Sequence, residues 1–112
     1  MKGYYLMGCI ETKENRFLRS ISALKNAVLN ICSATGLNVV SDNYHIFHTS
    51  NGITYCFIIS QSHFVIHTWP ETNKIYFDIF TCNKKLNVKK LSVLLSKEFN
   101  GMITEIKKID IQ

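Results

Sequence analysis

Asn51-Gly52 stands between two apolar runs, Leu37 to His48 and Ile53 to Ser60. Both residues tolerate positive φ, and such a dipeptide between apolar runs is the strongest short-range signal for a β-hairpin. Two more strand-like runs follow, His63 to Trp69 and Lys74 to Thr81, and the chain's only proline, Pro70, ends the first of them. Proline cannot donate to a ladder, so it marks a strand boundary. These runs commit the middle of the chain to a sheet built from hairpins. Side chains alternate along a strand. His63, Val65, His67 and Trp69 therefore share one face, and Phe64, Ile66 and Thr68 the other. The same alternation groups Tyr76, Asp78, Phe80 and Cys82.

The remaining segments supply helices to cover one side of that sheet. Phe17, Leu18, Ile21, Leu24, Val28, Ile31 and Cys32 recur at helical spacing, which predicts one amphipathic helix over Arg16 to Thr35. Asn15 is placed to cap its start and Gly36 to end it in the left-handed conformation. Leu91, Leu94, Leu95 and Phe99 form the stripe of a second helix, Val88 to Phe99, ended by Asn100-Gly101. Tyr4 to Ile10 reads as a first strand and Met102 to Ile111 as a last one. The expected order is β-α-β-β-β-β-α-β. That is an α+β fold, a two-layer α/β sandwich with a largely antiparallel sheet and two helices on one face. At 112 residues the chain is expected to form a single domain over 1–112.

Composition narrows the class of function. No apolar run approaches the roughly 20 residues that cross a bilayer, and the N-terminal Met1-Lys2-Gly3-Tyr4-Tyr5 lacks the features of a secretory signal. The expected location is the cytoplasm, with no membrane partner. Cys9, Cys32, Cys56 and Cys82 are widely spaced with no close pair, which argues for free thiols and against a metal site. The net charge of +5 comes with lysines scattered over the C-terminal third, at Lys84, Lys85, Lys89, Lys90, Lys97, Lys107 and Lys108. They lack the clustering and aromatic interleaving of a nucleic-acid surface, so a solvated helix face is expected and no nucleic-acid partner.

One stretch carries far more polar chemistry than a core strand needs: Ser60-Gln61-Ser62-His63-Phe64-Val65-Ile66-His67-Thr68-Trp69-Pro70-Glu71. Taken singly, Ser62 reads as a turn residue, His67 as a core histidine and Cys82 as a buried thiol. No GxSxG elbow or recognisable Ser-His-acid set is present.

Together, Ser-x-Ser-His-x-x-x-His-Thr-Trp-Pro-Glu at 60–71 and Phe-Asp-Ile-Phe-Thr-Cys at 77–82 resemble the short prokaryotic form of S-adenosylmethionine decarboxylase. The resemblance covers nearly the whole chain. It implies a proenzyme that cleaves itself between Gln61 and Ser62 and turns Ser62 into an N-terminal pyruvoyl cofactor, with no metal. It also implies chains of residues 1–61 and 62–112. In the family the pyruvoyl carbonyl forms a Schiff base with the substrate amine and acts as an electron sink, as pyridoxal phosphate does elsewhere. The resemblance further assigns His67 to proton transfer during processing, Thr54 as the processing hydroxyl and Cys82 as the proton donor in decarboxylation. Glu71 is assigned to the ribose hydroxyls of the substrate and Phe47 to its adenine. The implied product feeds spermidine and other polyamine synthesis, and the implied assembly is a homodimer paired sheet against sheet.

Two departures from the family pattern leave alternatives open. Gln61 stands where the family has glutamate, and the first strand, Gly3-Tyr4-Tyr5-Leu6-Met7-Gly8-Cys9, keeps the glycine but has Tyr5 in place of histidine. One alternative is a pyruvoyl-dependent decarboxylase of another amino acid, ornithine or arginine. The other is an unprocessed, non-catalytic regulatory subunit.

Overall fold

The computed structural model describes residues 3–83 and 86–111; Lys84 and Lys85 lie outside them. The strands are β1 (Gly3–Thr12), β2 (Val39–Ile46), β3 (Ile53–Ile59), β4 (Ser62–Trp69), β5 (Lys74–Thr81) and β6 (Gly101–Ile111). The helices are α1 (Arg16–Arg19), α2 (Ile21–Thr35) and α3 (Val88–Glu98), with a 3-10 turn at Pro70–Thr72. All six strands join one sheet in the order β2-β3-β4-β5-β1-β6, and every neighbouring pair is antiparallel. The two-layer α+β architecture is as the sequence predicts.

Alternation sorts the sheet into a covered face and an open one. Ile53, Tyr55, Phe57 and Ile59 of β3, Phe64 and Ile66 of β4, and Ile75, Phe77 and Ile79 of β5 are buried. They join Leu24, Val28 and Ile31 of α2 and Leu91 and Leu95 of α3 in one core. Each such side chain contributes on the order of 1.5–3 kcal/mol through removal from water. The opposite face carries Thr54, Cys56 and Ile58 of β3, His63, Val65, His67 and Trp69 of β4, and Tyr76 and Asp78 of β5, none of them buried.

Three local expectations are corrected. The single helix over Arg16 to Thr35 is broken at Ser20, whose backbone is extended (φ −108°, ψ 117°). Ser20 Oγ accepts from the Ala23 amide at 3.2 Å, so the serine opens α2 as its N-cap. Asn15 makes no side-chain cap; its Oδ1 accepts from Arg19 Nε instead. The apolar spacing runs through the break because Phe17, Leu18 and Leu24 all still reach the core. The strand expected over Leu37 to His48 is shorter, and Phe47 lies in the turn, where its amide donates to Gly52 O and its carbonyl accepts from Asn51 N. Of Asn51-Gly52, only Asn51 is left-handed (φ 59°). Gly52 is required for space, since a Cβ there would lie 2.8 Å from Thr68 O.

Candidate active site

Ser62 opens β4 immediately after a tight β3–β4 turn in which Ile59 pairs with Ser62. Of the two residues between, Ser60 and Gln61, the second is held in the left-handed region at φ 59°, where a non-glycine residue costs on the order of 1 kcal/mol. Neighbouring segments tie the turn down: Ser60 N–H donates to Asn38 O at 2.9 Å, and Asn38 Nδ2 donates to Ser60 Oγ at 3.3 Å. Ser62 Oγ donates to Thr81 Oγ1 at 2.9 Å. A hollow of about 280 Å³ brings Ser60, Gln61, Ser62, Cys82 and Asn83 together. The expected cleavage bond and the expected proton donor thus share one pocket.

β1 fixes the far wall of that pocket. Tyr4 Oη donates to Asn83 O at 2.8 Å and to Leu86 O at 3.2 Å, which clamps the chain just after Cys82. Burial, with a smaller contribution from Asp110, pushes the Tyr4 phenol above its ordinary value, so it stays a donor. A Cβ on Gly3 would meet Phe80 Cζ at 2.5 Å and Cys82 Sγ at 3.5 Å. The glycine that the sequence retains is therefore what lets Phe80 pack beside the thiol. Sequence reading did not assign Tyr4 or Thr81 to the site. Their roles depend on contacts 79 and 19 residues apart, and no local motif announces such contacts.

Thr54 and His67 form a second centre, on the open face. They pair directly across the β3–β4 ladder, with Thr54 Oγ1 3.0 Å from His67 Nδ1. Phe47, Trp69, Thr54 and His67 line a hollow of about 360 Å³. The expected adenine-stacking aromatic is thereby placed with the expected processing pair. Beneath them Thr68 is buried; its hydroxyl donates to Leu18 O at 2.7 Å and accepts from Ile53 N at 2.9 Å.

The structure keeps these two centres apart. Ser62 and His67 differ in strand parity, and five residues at a strand rise separate them by about 16 Å. Glu71 sits on the exposed 3-10 turn and lines neither hollow. A third and larger hollow, about 610 Å³, spreads over the open face between His67, His63, Asp78, Tyr5 and Glu105. In it His63 Nε2 lies 2.8 Å from Asp78 Oδ1, and the Tyr5 ring packs on Phe80 at 4.8 Å. Tyr5, the departure in the first strand, is thus a lining residue of the open face.

The S-adenosylmethionine decarboxylase family model matches residues 6–111. The chain belongs to that family. Among family relatives, an S-adenosylmethionine decarboxylase proenzyme of Clostridium botulinum strain Hall is 38% identical over 79 residues, covering 70% of this chain and 67% of the relative. A proenzyme of Caldanaerobacter subterraneus is 29% identical over 110 residues, covering 95% of this chain and 87% of the relative. The crystal structure of the adenosylmethionine decarboxylase from Aquifex aeolicus superposes with a TM-score of 0.75, covering 97% of this chain and 88% of that one. At 19% identity the superposition speaks for the fold, and for the same sheet and helix layers in this family member.

Proposed function

We propose that this chain is a self-cleaving, pyruvoyl-dependent decarboxylase of S-adenosylmethionine whose product serves spermidine and other polyamine synthesis. The observation that carries the reading is the pocket joining Gln61, Ser62 and Cys82 in a chain matched to the family from 6 to 111.

Self-cleavage needs only this chain and one water molecule. Ser62 Oγ bonds to the Gln61 carbonyl carbon, the C–N bond breaks, and the hydroxyl proton ends on the freed Ser62 amine. The resulting ester then loses the Ser62 Cα proton and the Cβ–Oγ bond, releasing the Gln61 carboxylate and leaving dehydroalanine. Its imine tautomer takes up water and releases ammonia, leaving a pyruvoyl group at position 62. Thr54 and His67 supply a hydroxyl and an imidazole 3.0 Å apart for the proton movements, work suited to imidazole near neutral pH. The attacked carbonyl is main-chain, so Gln61 in place of glutamate leaves this chemistry intact.

The site residues suit the group. Ser62 keeps its hydroxyl, opens into a hollow and has Cys82 as its neighbour there. A pyruvoyl group supplies a carbonyl that takes up the substrate amine and receives the electron pair released with carbon dioxide. Cys82 holds the proton returned to the product carbon. Phe47 offers a half-exposed ring for the adenine, an arrangement that also suits the sulfonium cation. Glu71 binds the ribose hydroxyls.

Two copies pair through their open faces. Ile58, Trp69, Tyr76 and Phe47 are 56%, 50%, 42% and 47% exposed, more apolar surface than a free sheet face favours. Pairing also answers the lengthwise separation of Ser62 from His67 along β4. A head-to-tail two-fold alignment lays the Thr54–His67 end of one sheet over the Ser62–Cys82 end of its partner. The four cysteines are free thiols, in keeping with a reducing, cytoplasmic setting.

Intact-mass analysis of the purified protein tests the reading. Chains of residues 1–61 and 62–112, the second blocked at its N-terminus, are expected, with carbon dioxide released from S-adenosylmethionine. A chain that stays whole, or release from ornithine or arginine alone, overturns it.

A further inference from the structure

We propose that Thr81 is a positioning residue for self-cleavage, holding the Ser62 hydroxyl in the rotamer from which it attacks the Gln61 carbonyl. The inference rests on the reading of Ser62 as the cleavage serine.

The Ser62 side chain is only half-buried, and a serine hydroxyl free to meet water samples several rotamers. Here its proton is aimed at Thr81 Oγ1, 2.9 Å away. Thr81 is fully buried, and β-branching makes its χ1 stiff. The Asn83 amide also donates to Thr81 Oγ1, at 3.0 Å, while Tyr4 Oη holds the Asn83 carbonyl at 2.8 Å. The acceptor is therefore anchored from β1 through the segment after β5.

A bland account would have Ser62 merely satisfy a buried threonine oxygen. That oxygen already receives the Asn83 N–H, so burial does not require the serine as well. What the contact does for Ser62 is different. With its hydrogen directed to Thr81, the lone pairs of Oγ are turned away from Thr81 and free for the carbonyl. Donation to a polarised acceptor also raises electron density on the oxygen. Attack then forms Oγ–C and breaks C–N as described above, with the hydroxyl proton passing to the departing amide nitrogen. Fixing one rotamer of a nucleophile next to its target removes an entropic part of the barrier.

The test follows cleavage of the freshly synthesised full chain by intact mass for the parent, Thr81→Val and Thr81→Ser, with hydroxylamine added to capture any ester. Thr81→Val keeps the packed volume and loses the hydroxyl; cleavage slowed at least about tenfold is expected, with no build-up of ester, because the attack step itself is impaired. Thr81→Ser keeps the hydroxyl and is expected to cleave within about threefold of the parent while melting at a lower temperature. A merely structural role reverses that order. Thr81→Val cleaving at the parent rate overturns the proposal. If Thr81→Val fails to fold by circular dichroism, Thr81→Ser against Thr81→Ala makes the same comparison, and equal rates overturn it. A parent chain that never cleaves removes the reading of Ser62 and Thr81 with it. A parent that cleaves beside an equally fast Thr81→Val removes Thr81 alone.

Discussion

Thr54 Oγ1 and His67 Nδ1 lie 3.0 Å apart on directly paired positions of β3 and β4. The contact fixes the imidazole ring to Thr54 on the open face. A hydroxyl at position 54 is thus a support for His67 as well as the proposed processing hydroxyl. Thr54→Val is expected to slow self-cleavage by about 10- to 100-fold, the range of a displaced proton-transfer group. Thr54→Ser is expected to retain most of the rate. Time courses of intact mass for both variants check this, and equal rates for valine and serine count against the support role.

Cys82 shares the Ser62 hollow but makes no bond to Ser62 Oγ, which Thr81 holds instead. Processing and turnover are therefore separable at this position. Cys82→Ala is expected to cleave into 1–61 and 62–112 at close to the parent rate. Its release of carbon dioxide from S-adenosylmethionine is expected to fall by about 100-fold or more. Loss of both activities together would place the thiol in cleavage as well.

The sheet was legible because its signals are local. Alternation in His63–Trp69, the stop at Pro70 and the αL position of Gly36 (φ 72°) are decided by each residue's own backbone and its immediate neighbours. The break at Ser20 was not, because α1 and α2 keep one apolar spacing across it. A serine in a helical pattern does not show whether it caps or continues. The reactive residues were named by their motif, yet their grouping depends on which strands become neighbours. Ser62 meets Thr81 only because β4 lies against β5, and Thr54 meets His67 only because the β3–β4 turn sets that register. Tyr4, which clamps the Cys82 segment, has an ordinary strand sequence around it.

Burial in α2 pushes the Cys32 thiol up from 9.0 to about 11. In the unfolded chain the thiol ionises near its ordinary value. Between about pH 9 and 11 the unfolded state has therefore released a proton that the folded state keeps, and stability falls as pH rises. Below that window the group adds no pH dependence. Cys32→Ala is expected to melt lower than the parent near neutrality, because it leaves a small cavity, but to lose less of its melting temperature on going to alkaline pH. Tyr55, raised by burial and by its bond to Asp42, acts in both proteins at higher pH and cancels in the comparison. Parallel decline of the two melting curves would remove Cys32 as the cause.

The separation of Ser62 from His67 makes the paired assembly testable without any assay of turnover. In one chain the two side chains have opposite parity on β4 and stand about 16 Å apart. If pairing of open faces completes each site, Ser62→Ala retains a working Thr54–His67 centre, and His67→Ala retains a working Ser62–Cys82 centre. Each variant alone is expected to stay whole or to cleave very slowly. Co-expressed, they form mixed dimers in which the His67→Ala chain lies under the imidazole of its partner. That chain alone is then expected to be cut between Gln61 and Ser62, and intact mass identifies it because the two substitutions differ in mass. If His67 instead acted within its own chain, the mixture would cleave no faster than the His67→Ala variant by itself. A third protein, Ile58→Glu, places a charge on the exposed apolar face, across the ladder from His63. It is expected to sediment as a monomer and to lose cleavage with Ser62, Thr54, His67 and Cys82 all present, which only a site built from two chains requires.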